Sequence, residues 1–177
     1  MFPDNLVEFS RQTYSRDQNV DAWADDELVD SGLSKDEADL IGRFPEKTGE
    51  LLLLGVGGGR EAIVFAKMGF TVTGVDFVDA MTKKAIENGL SRGVAIKGAT
   101  QEISRLDFPG NSFDIVWISR AMYSSIPGCT RRVATIKNIA GILKPGGYLI
   151  CQYHYAPTPR FSNTIERIKR ALSIITY

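Results

Sequence analysis

The chain has 177 residues, of which 44% are hydrophobic, so it is long and apolar enough to bury a core and is most simply one domain. Lysine and arginine together number 21, as do aspartate and glutamate, and this balance favours neither a nucleic-acid partner nor an anionic membrane surface. No apolar run has the length of a transmembrane helix and the N-terminus lacks the pattern of a signal peptide, so we expect a cytoplasmic protein with no membrane partner.

Residues 1–33 are polar and rich in acids, with apolar residues at intervals that do not suit a strand. We interpret this segment as one or two helical pieces that lie over the core as a cover. The sequence Ser-Lys-Asp-Glu at residues 34–37 is a capping box, in which the first and last side chains bond each other's backbone N–H groups. It predicts a helix over about residues 35–43, at the start of a main domain that spans residues 34–177.

The stretch from residue 50 to residue 60 predicts a strand that runs into a glycine-rich turn. Four consecutive leucines at residues 51–54 are too apolar for a half-exposed strand and suit the centre of a sheet covered on both faces. Gly55, Gly57 and Gly59 can adopt positive φ and let a ligand approach the backbone closely. A helix is expected over residues 60–68, and a strand, glycine turn and helix in this order predict a nucleotide-type ligand.

A second strand is predicted at residues 70–76 and ends in an acid, Asp76. A carboxylate at this place can accept hydrogen bonds from both hydroxyl groups of a ribose. We expect Asp79 to cap the helix that follows, which would leave Asp76 for the ligand. A short third strand is expected at residues 94–97.

The rest of the chain continues the alternation of strands and helices. A fourth strand is predicted at residues 113–119, with Asp114 fixing the turn before it, and a fifth at residues 148–153, after a tight turn at residues 144–147. Helices are expected at residues 130–143 and at about residues 163–175. The inward face of the first of these two is predicted to contain Val133, Ile136, Ala140 and Leu143. The pattern predicts an α/β fold with a doubly wound, mainly parallel sheet of at least five strands and helices on both faces.

The spacing of the glycines separates two classes of nucleotide-binding protein. A dinucleotide fingerprint that begins at Gly55 needs its third glycine at position 60, where this chain has Arg60. The chain instead reads Gly-x-Gly-x-Gly, with Asn-Ser-Phe-Asp-Ile-Val at residues 111–116 and Leu-Lys-Pro-Gly-Gly at residues 143–147. In these motifs and their order, residues 34 to about 155 resemble the class I S-adenosylmethionine (SAM) dependent methyltransferases.

The resemblance implies a Rossmann-like fold, SAM as cofactor, S-adenosylhomocysteine (SAH) as product and a small molecule as methyl acceptor. It places the amino-acid part of SAM over Gly55 and Gly57, the ribose on Asp76 and the adenine against Phe77. The full set of cofactor-binding residues that it implies is Gly55, Gly57, Gly59, Asp76, Phe77, Ala99, Thr100, Ser119 and Tyr14. The chain departs from the family at Leu53 and at Ala99, where an acid is common.

His154 is the candidate catalytic residue, because a base assists transfer to a hydroxyl group and histidine titrates near neutral pH. The alternative is a histidine with no part in the chemistry. With one histidine and two cysteines the chain has too few ligands for a Cys/His zinc site, and no metal site is predicted. The acceptor pocket could be lined by Tyr14, Arg120, Met122, Tyr123, Tyr153 and Tyr155.

Two other functions remain open. One is a SAM-fold module that binds without catalysis, which the absent acids at Leu53 and Ala99 favour. The other is an NAD-dependent oxidoreductase, which Arg60 disfavours. The family also has two strands after the last predicted helix, which we expect this chain to lack. The fifth strand would then be an uncovered edge, and edges invite pairing. We therefore expect either that the sequence is a truncated or incompletely ordered version of a longer chain, or that residues 1–32 or a second copy in a homodimer cover this edge.

Overall fold

Five parallel strands form the sheet at the centre of this computed structural model, which describes residues 3–44, 48–120 and 122–152. The strands are β1 (Gly49–Leu54), β2 (Phe70–Asp76), β3 (Ile96–Thr100), β4 (Phe113–Ile118) and β5 (Leu143–Cys151). They lie in the order β3-β2-β1-β4-β5, and every pairing is parallel. The chain therefore reverses its direction of winding beside β1, and the glycine turn follows β1 at the carboxyl edge of the sheet, as predicted.

Eight α-helices and one short 3-10 turn surround the sheet in the described residues. The helices are α1 (Pro3–Tyr14), α2 (Asp17–Ala24), α3 (Asp26–Asp30), α4 (Lys35–Gly42), α5 (Arg60–Met68), α6 (Asp79–Ser91), α7 (Met122–Ser125) and α8 (Cys129–Ile142), and the 3-10 turn is Ile103–Arg105. The predicted doubly wound α/β fold with helices on both faces is confirmed.

The four leucines of β1 serve both faces of the sheet. Leu51 and Leu53 pack in one apolar cluster with residues of α4 and α5, whereas Leu52 and Leu54 pack in a second cluster with residues of α8. All four side chains are fully buried. Side chains alternate along a strand, so a central strand that is covered on both faces needs an apolar residue at every position.

The N-terminal segment contains three helices rather than one or two. Asp25 separates α2 from α3, because its carboxylate accepts hydrogen bonds from the backbone N–H groups of Glu27 and Leu28 and caps α3. Val20 of α2 is buried against Val78 and Met81 at the start of α6. Helix α2 thus packs on the start of α6. The capping box that begins α4 is present as predicted.

Three predicted elements differ in their bounds or faces. β3 begins two residues later than expected and includes residues 99 and 100, because its pairing with β2 runs to the end of that strand. β5 begins at Leu143 rather than at residue 148, and its register with β4 shifts across the Pro-Gly-Gly turn. The buried residues of α8 are Thr135, Ile139 and Ile142, whereas Val133 is about half exposed. The predicted helix at residues 163–175 lies outside the described residues.

Asp114 fixes the start of β4, as the sequence indicates. Its Oδ2 atom accepts hydrogen bonds from the backbone N–H of Glu50, at 2.8 Å, and from Nζ of Lys144, at 2.8 Å. The hydrogen bond from Lys144 is the main reason that the pKa of Asp114 lies below its ordinary value. This carboxylate joins β1, β4 and β5 at the amino edge of the sheet, opposite the glycine turn.

Candidate cofactor site at the glycine turn

The three alternate glycines of the turn have left-handed backbone conformations. Gly55, Gly57 and Gly59 have φ of 84°, 51° and 99°, values that other residues rarely adopt. The backbone N–H groups of Gly55 and Val56 both donate to the carbonyl oxygen of Val75 in β2, at 2.8 and 2.9 Å. The turn is therefore fixed to the neighbouring strand, and its glycines are required by conformation.

Gly58, which the sequence analysis did not single out, is required for a different reason. The carboxyl end of α2 crosses this residue so closely that a Cβ atom on Gly58 would overlap the carbonyl oxygen of Trp23. The side-chain amide of Asn88, on α6, donates to the carbonyl oxygen of Gly58 at 2.9 Å. The N-terminal segment thus lies directly against the glycine turn.

Asp76 lies at the end of β2 and faces the same turn. Its Oδ2 atom accepts a hydrogen bond from the backbone N–H of Gly57, at 3.2 Å, and its Oδ1 atom accepts one from the N–H of Val78, at 3.1 Å. The residue is only 9% exposed, and burial raises its pKa above the ordinary value although these hydrogen bonds act against the shift. Two carboxylate oxygens have about four acceptor positions, so these two hydrogen bonds leave room for a ligand to donate to Asp76.

The expected cap by Asp79 is wrong. The N-cap residue of α6 is Val78, without a side-chain cap, and Asp79 instead pairs with Lys83 at 2.6 Å. Its carboxylate also accepts a hydrogen bond from the hydroxyl of Thr100, at 3.3 Å. Asp76 is the acid that bonds a backbone N–H at the start of α6, because it lies where β2 turns into that helix.

Four other predicted residues lie close to Asp76. In the pairing of β2 with β3, Thr100 is the partner of Asp76 and Ala99 is the partner of Val75. Phe77 follows Asp76, and its ring meets that of Tyr14 edge to face, with centroids 6.4 Å apart. The structure therefore brings Tyr14 at the end of α1 to the residues predicted to hold the ribose and adenine.

Ser119 lies on the other side of β1, where β4 ends. Its backbone N–H donates to the carbonyl oxygen of Leu54 at 2.9 Å, and its hydroxyl donates to Oε1 of Glu61 at 2.7 Å. Glu61 is only 4% exposed, and burial raises its pKa above the ordinary value. Sequence analysis missed Glu61, although an acid directly after a predicted ligand-binding turn was the available signal.

Arg60 joins the carboxylate of Glu61 to α4. Its Nη2 atom lies 2.8 Å from Oε1 of Glu61, and its two terminal nitrogens bond both carboxylate oxygens of Glu37, at 2.9 and 3.0 Å. Arg60 also donates to the carbonyl oxygen of Gly32. Arg60 stands where a dinucleotide fingerprint would have its third glycine. It is the centre of a buried ion cluster, formed by Glu37, Arg60 and Glu61.

Of the remaining predicted residues, Met122 and Tyr123 lie on α7 and Arg120 is exposed just before it. Met122, a candidate for the acceptor pocket, lies over the first glycine of the turn, since a Cβ atom on Gly55 would be 2.6 Å from its Cγ atom. His154, Tyr153 and Tyr155 lie outside the described residues, so the role of His154 stays a prediction. Among residues 3–44, 48–120 and 122–152, no group of three or more His, Cys, Asp or Glu side chains could hold a metal ion.

The parallel sheet, the glycine turn at the reversal of strand order and the acid at the end of β2 define a Rossmann-like nucleotide-binding protein. Comparison with protein families gives the particular class, since the family described as "Methyltransferase domain" matches residues 52–151, more than half of the chain. The chain belongs to this family, as a class I SAM-dependent methyltransferase domain.

Two curated relatives and one solved structure are similar to this chain. It is 33% identical over 93 residues to 2-methyl-6-phytyl-1,4-hydroquinone methyltransferase of a Synechocystis species. The aligned residues make up 52% of this chain and 28% of that protein. It is 32% identical over 126 residues to ubiquinone biosynthesis O-methyltransferase of a Caulobacter species. The aligned residues make up 70% of this chain and 48% of that protein. A SAM-dependent methyltransferase structure from Methanosarcina mazei has a TM-score of 0.59 and 27% identity, covering 67% of this chain and 56% of that one.

The chain spans about half or less of the length of these curated relatives. The family match over residues 52–151 includes the glycine turn, Asp76 and Ser119. In the part of the chain that the structure describes, no helix is long and apolar enough to cross a membrane.

Proposed function

We propose that the chain transfers a methyl group from SAM to a small-molecule acceptor and releases SAH. The observation that carries this proposal is the position of Asp76, whose carboxylate faces Gly57 across the end of the sheet at a hydrogen-bond distance of 3.2 Å. This arrangement offers acceptor positions for ribose hydroxyl groups beside a turn of glycines.

The residues present fit SAM. Three alternate residues of the turn have backbone conformations suited to glycine, and no side chain of their own lies between the backbone and a ligand. Asp76 keeps unused acceptor positions, and Phe77 offers an aromatic ring next to it for the adenine. Ala99, near the end of β3, is nonpolar and offers the adenine edge no charge.

The reaction is a displacement at the methyl carbon. A lone pair on the acceptor forms a bond to that carbon while the electron pair of the carbon–sulfur bond moves to sulfur, which converts the sulfonium into the neutral thioether of SAH. A proton of a hydroxyl acceptor leaves to a base or to water. Much of the rate enhancement in such a step can come from holding acceptor and methyl group in line.

The class of acceptor is supported by the relatives, whose names specify a hydroquinone and an O-methyl transfer in ubiquinone biosynthesis. We propose a hydroxylated aromatic molecule of this kind, with His154 as the base that receives its proton. A His154→Gln variant should bind SAH normally and lose turnover mainly with hydroxyl acceptors. Equal turnover of both proteins would assign His154 no part in the reaction.

The test of the function measures SAH released from SAM during incubation of the protein with hydroquinones, phenols, catechols and amines. The expected result is release that depends on one acceptor class and is absent from an Asp76→Ala variant. Binding of SAH without release for any acceptor would instead favour a module that binds SAM without catalysis. Binding of NAD in place of SAH would favour the oxidoreductase.

The partners and location that the sequence predicts remain part of this proposal. We propose a cytoplasmic protein, and its balanced charge supports the absence of a nucleic-acid partner. Among the described strands β5 is an edge, and Tyr148 on it is about half exposed. A homodimer through this edge is the expected assembly, and sedimentation equilibrium should give twice the mass of one chain.

A further inference from the structure

The buried ion cluster of Glu37, Arg60 and Glu61 has one more negative than positive group. The side chain of Glu37 is 1% exposed and that of Glu61 is 5% exposed, and a single guanidinium lies between them. Buried charges are stable when each has an opposite partner, and a carboxylate with an incomplete partner is unfavourable. Among the described residues, Arg60 is the one cation that forms an ion pair with Glu37 or Glu61. The cluster therefore has a net charge of −1 when both carboxylates are ionised.

Glu61 is the carboxylate of the cluster with the weaker compensation of its charge. Glu37 bonds both terminal nitrogens of Arg60 and also accepts a hydrogen bond from the backbone N–H of Ser34, at 2.7 Å. Burial alone would raise the pKa of Glu37, but these bonds outweigh it and its pKa lies below the ordinary value. Glu61 shares one nitrogen of Arg60 and one neutral hydroxyl, and burial leaves its pKa above the ordinary value.

Glu61 also lies where a ligand on the glycine turn would end. It is the second residue of α5, directly after the turn, and its partner Ser119 follows β4. Asp76 lies on the opposite side of β1, at the end of β2. The turn is thus flanked by two buried carboxylates, one on each side, while Leu53 beneath it is fully buried and uncharged.

We propose that Glu61 binds the α-ammonium of the amino-acid end of SAM. Ser119 and Arg60 hold the carboxylate of Glu61 in place. This rests on the proposed function. SAM has two hydroxyl groups on its ribose and an ammonium at its amino-acid end. Both kinds of group donate hydrogen bonds to carboxylates, so Asp76 suits the hydroxyl groups and Glu61 suits the ammonium. The ammonium supplies the positive charge that the cluster lacks. Glu61 thereby selects a cofactor that has an amino-acid end over a nucleoside that has none.

The test compares two ligands that differ at this end alone. SAH and 5′-methylthioadenosine share the adenosine and the thioether sulfur, but the second has no amino-acid group. Calorimetry should show that Glu61→Gln lowers the affinity for SAH by about 10- to 100-fold, the range for a lost hydrogen bond to a charged group. The affinity for 5′-methylthioadenosine should not change. Glu87→Gln, at an exposed glutamate of α6, should change neither affinity.

A second variant keeps the test available if Glu61→Gln does not fold. Glu61→Asp retains the charge and shortens the side chain by one methylene, so it should lower the SAH affinity by a smaller factor and leave 5′-methylthioadenosine binding unchanged. Equal losses for both ligands would overturn the proposal, because a purely structural role affects them alike. Unchanged SAH affinity would overturn it as well. Failure of the wild-type protein to bind SAH would instead overturn the proposed function.

Discussion

Arg60 and Glu37 form a two-point ion pair, with Nη1 to Oε2 at 2.9 Å and Nη2 to Oε1 at 3.0 Å. The planar guanidinium matches the two carboxylate oxygens, which makes such a pair both strong and directional. Arg60 begins α5 and Glu37 lies in the first turn of α4. The pair therefore fixes the end of the glycine turn to the helix that precedes β1.

Arg60→Met should lower the free energy of unfolding by about 3–5 kcal/mol, because it leaves two buried carboxylates without their cation. Urea unfolding at pH 7 measures the change. Arg105→Ala is the matched control, since Arg105 has a largely exposed side chain paired loosely with Glu102, and it should change stability by about 1 kcal/mol or less. Similar stability of the two variants would show that the buried cluster adds nothing to the fold.

The stability of the ligand-free protein should depend on pH through Glu61. The pKa of Glu61 is raised in the folded state above its ordinary value of 4.5, so its contribution to stability is fully present below pH 4.5 and is lost as pH rises through the folded pKa. Glu61→Gln has no such loss. The free energy of unfolding of the variant minus that of the wild type should therefore increase as pH rises above 4.5. A difference that is constant from pH 4 to pH 7.5 would refute this expectation.

Gly58→Ala should detach the N-terminal segment from the glycine turn. The added methyl group would meet the backbone of Trp23 and Ala24, which cannot rotate away as a side chain could. We expect a loss of about 1–3 kcal/mol, the range for an overpacked site. Gly141→Ala in α8 is the control, because nothing lies within 4 Å of its Cβ position, and it should stabilise by about 0.4–1 kcal/mol. Chemical denaturation of both variants tests the contrast.

Cofactor binding should order α1 more than α2. Among residues 5–14 no side chain is buried, whereas Val20 of α2 is 5% exposed and packs on α6. Hydrogen exchange should therefore show new protection in residues 5–14 when SAH is added, with little change in residues 17–24. Protection confined to residues 55–76 would mean that α1 does not cover the cofactor.

Much of the fold was predictable because it rests on local patterns. Four leucines in succession indicate a central strand, and alternate glycines after them indicate the turn; both are confirmed. Ser34 and Glu37 identified the start of α4 for the same reason, since a capping box is a contact between residues three apart. Such contacts are visible in the sequence itself.

The contact of Glu61 was missed because it joins distant residues, whereas the predictions for Asp79 and for the buried face of α8 were wrong on local grounds. Ser119 and Glu61 are 58 positions apart, so nothing local to either residue pairs them. Asp79 looked like a cap because capping residues favour that place, but Asp76 reaches a backbone N–H at the helix start first. In α8 the buried face includes Thr135, whose hydroxyl donates to the carbonyl oxygen of Arg131. A threonine satisfied in this way can be buried, which an apolar pattern does not show.

The most direct test of SAM binding at this turn is calorimetric titration of SAH into the wild-type protein and the Asp76→Ala variant. The account predicts one site per chain in the wild type and a loss of about 1.5–3 kcal/mol in the variant, the range for hydrogen bonds to a charged group. Asp39→Ala, at an exposed acid on α4, should bind as the wild type does. Equal affinity of Asp76→Ala and the wild-type protein for SAH would contradict the placement of the ribose, and with it the proposed site.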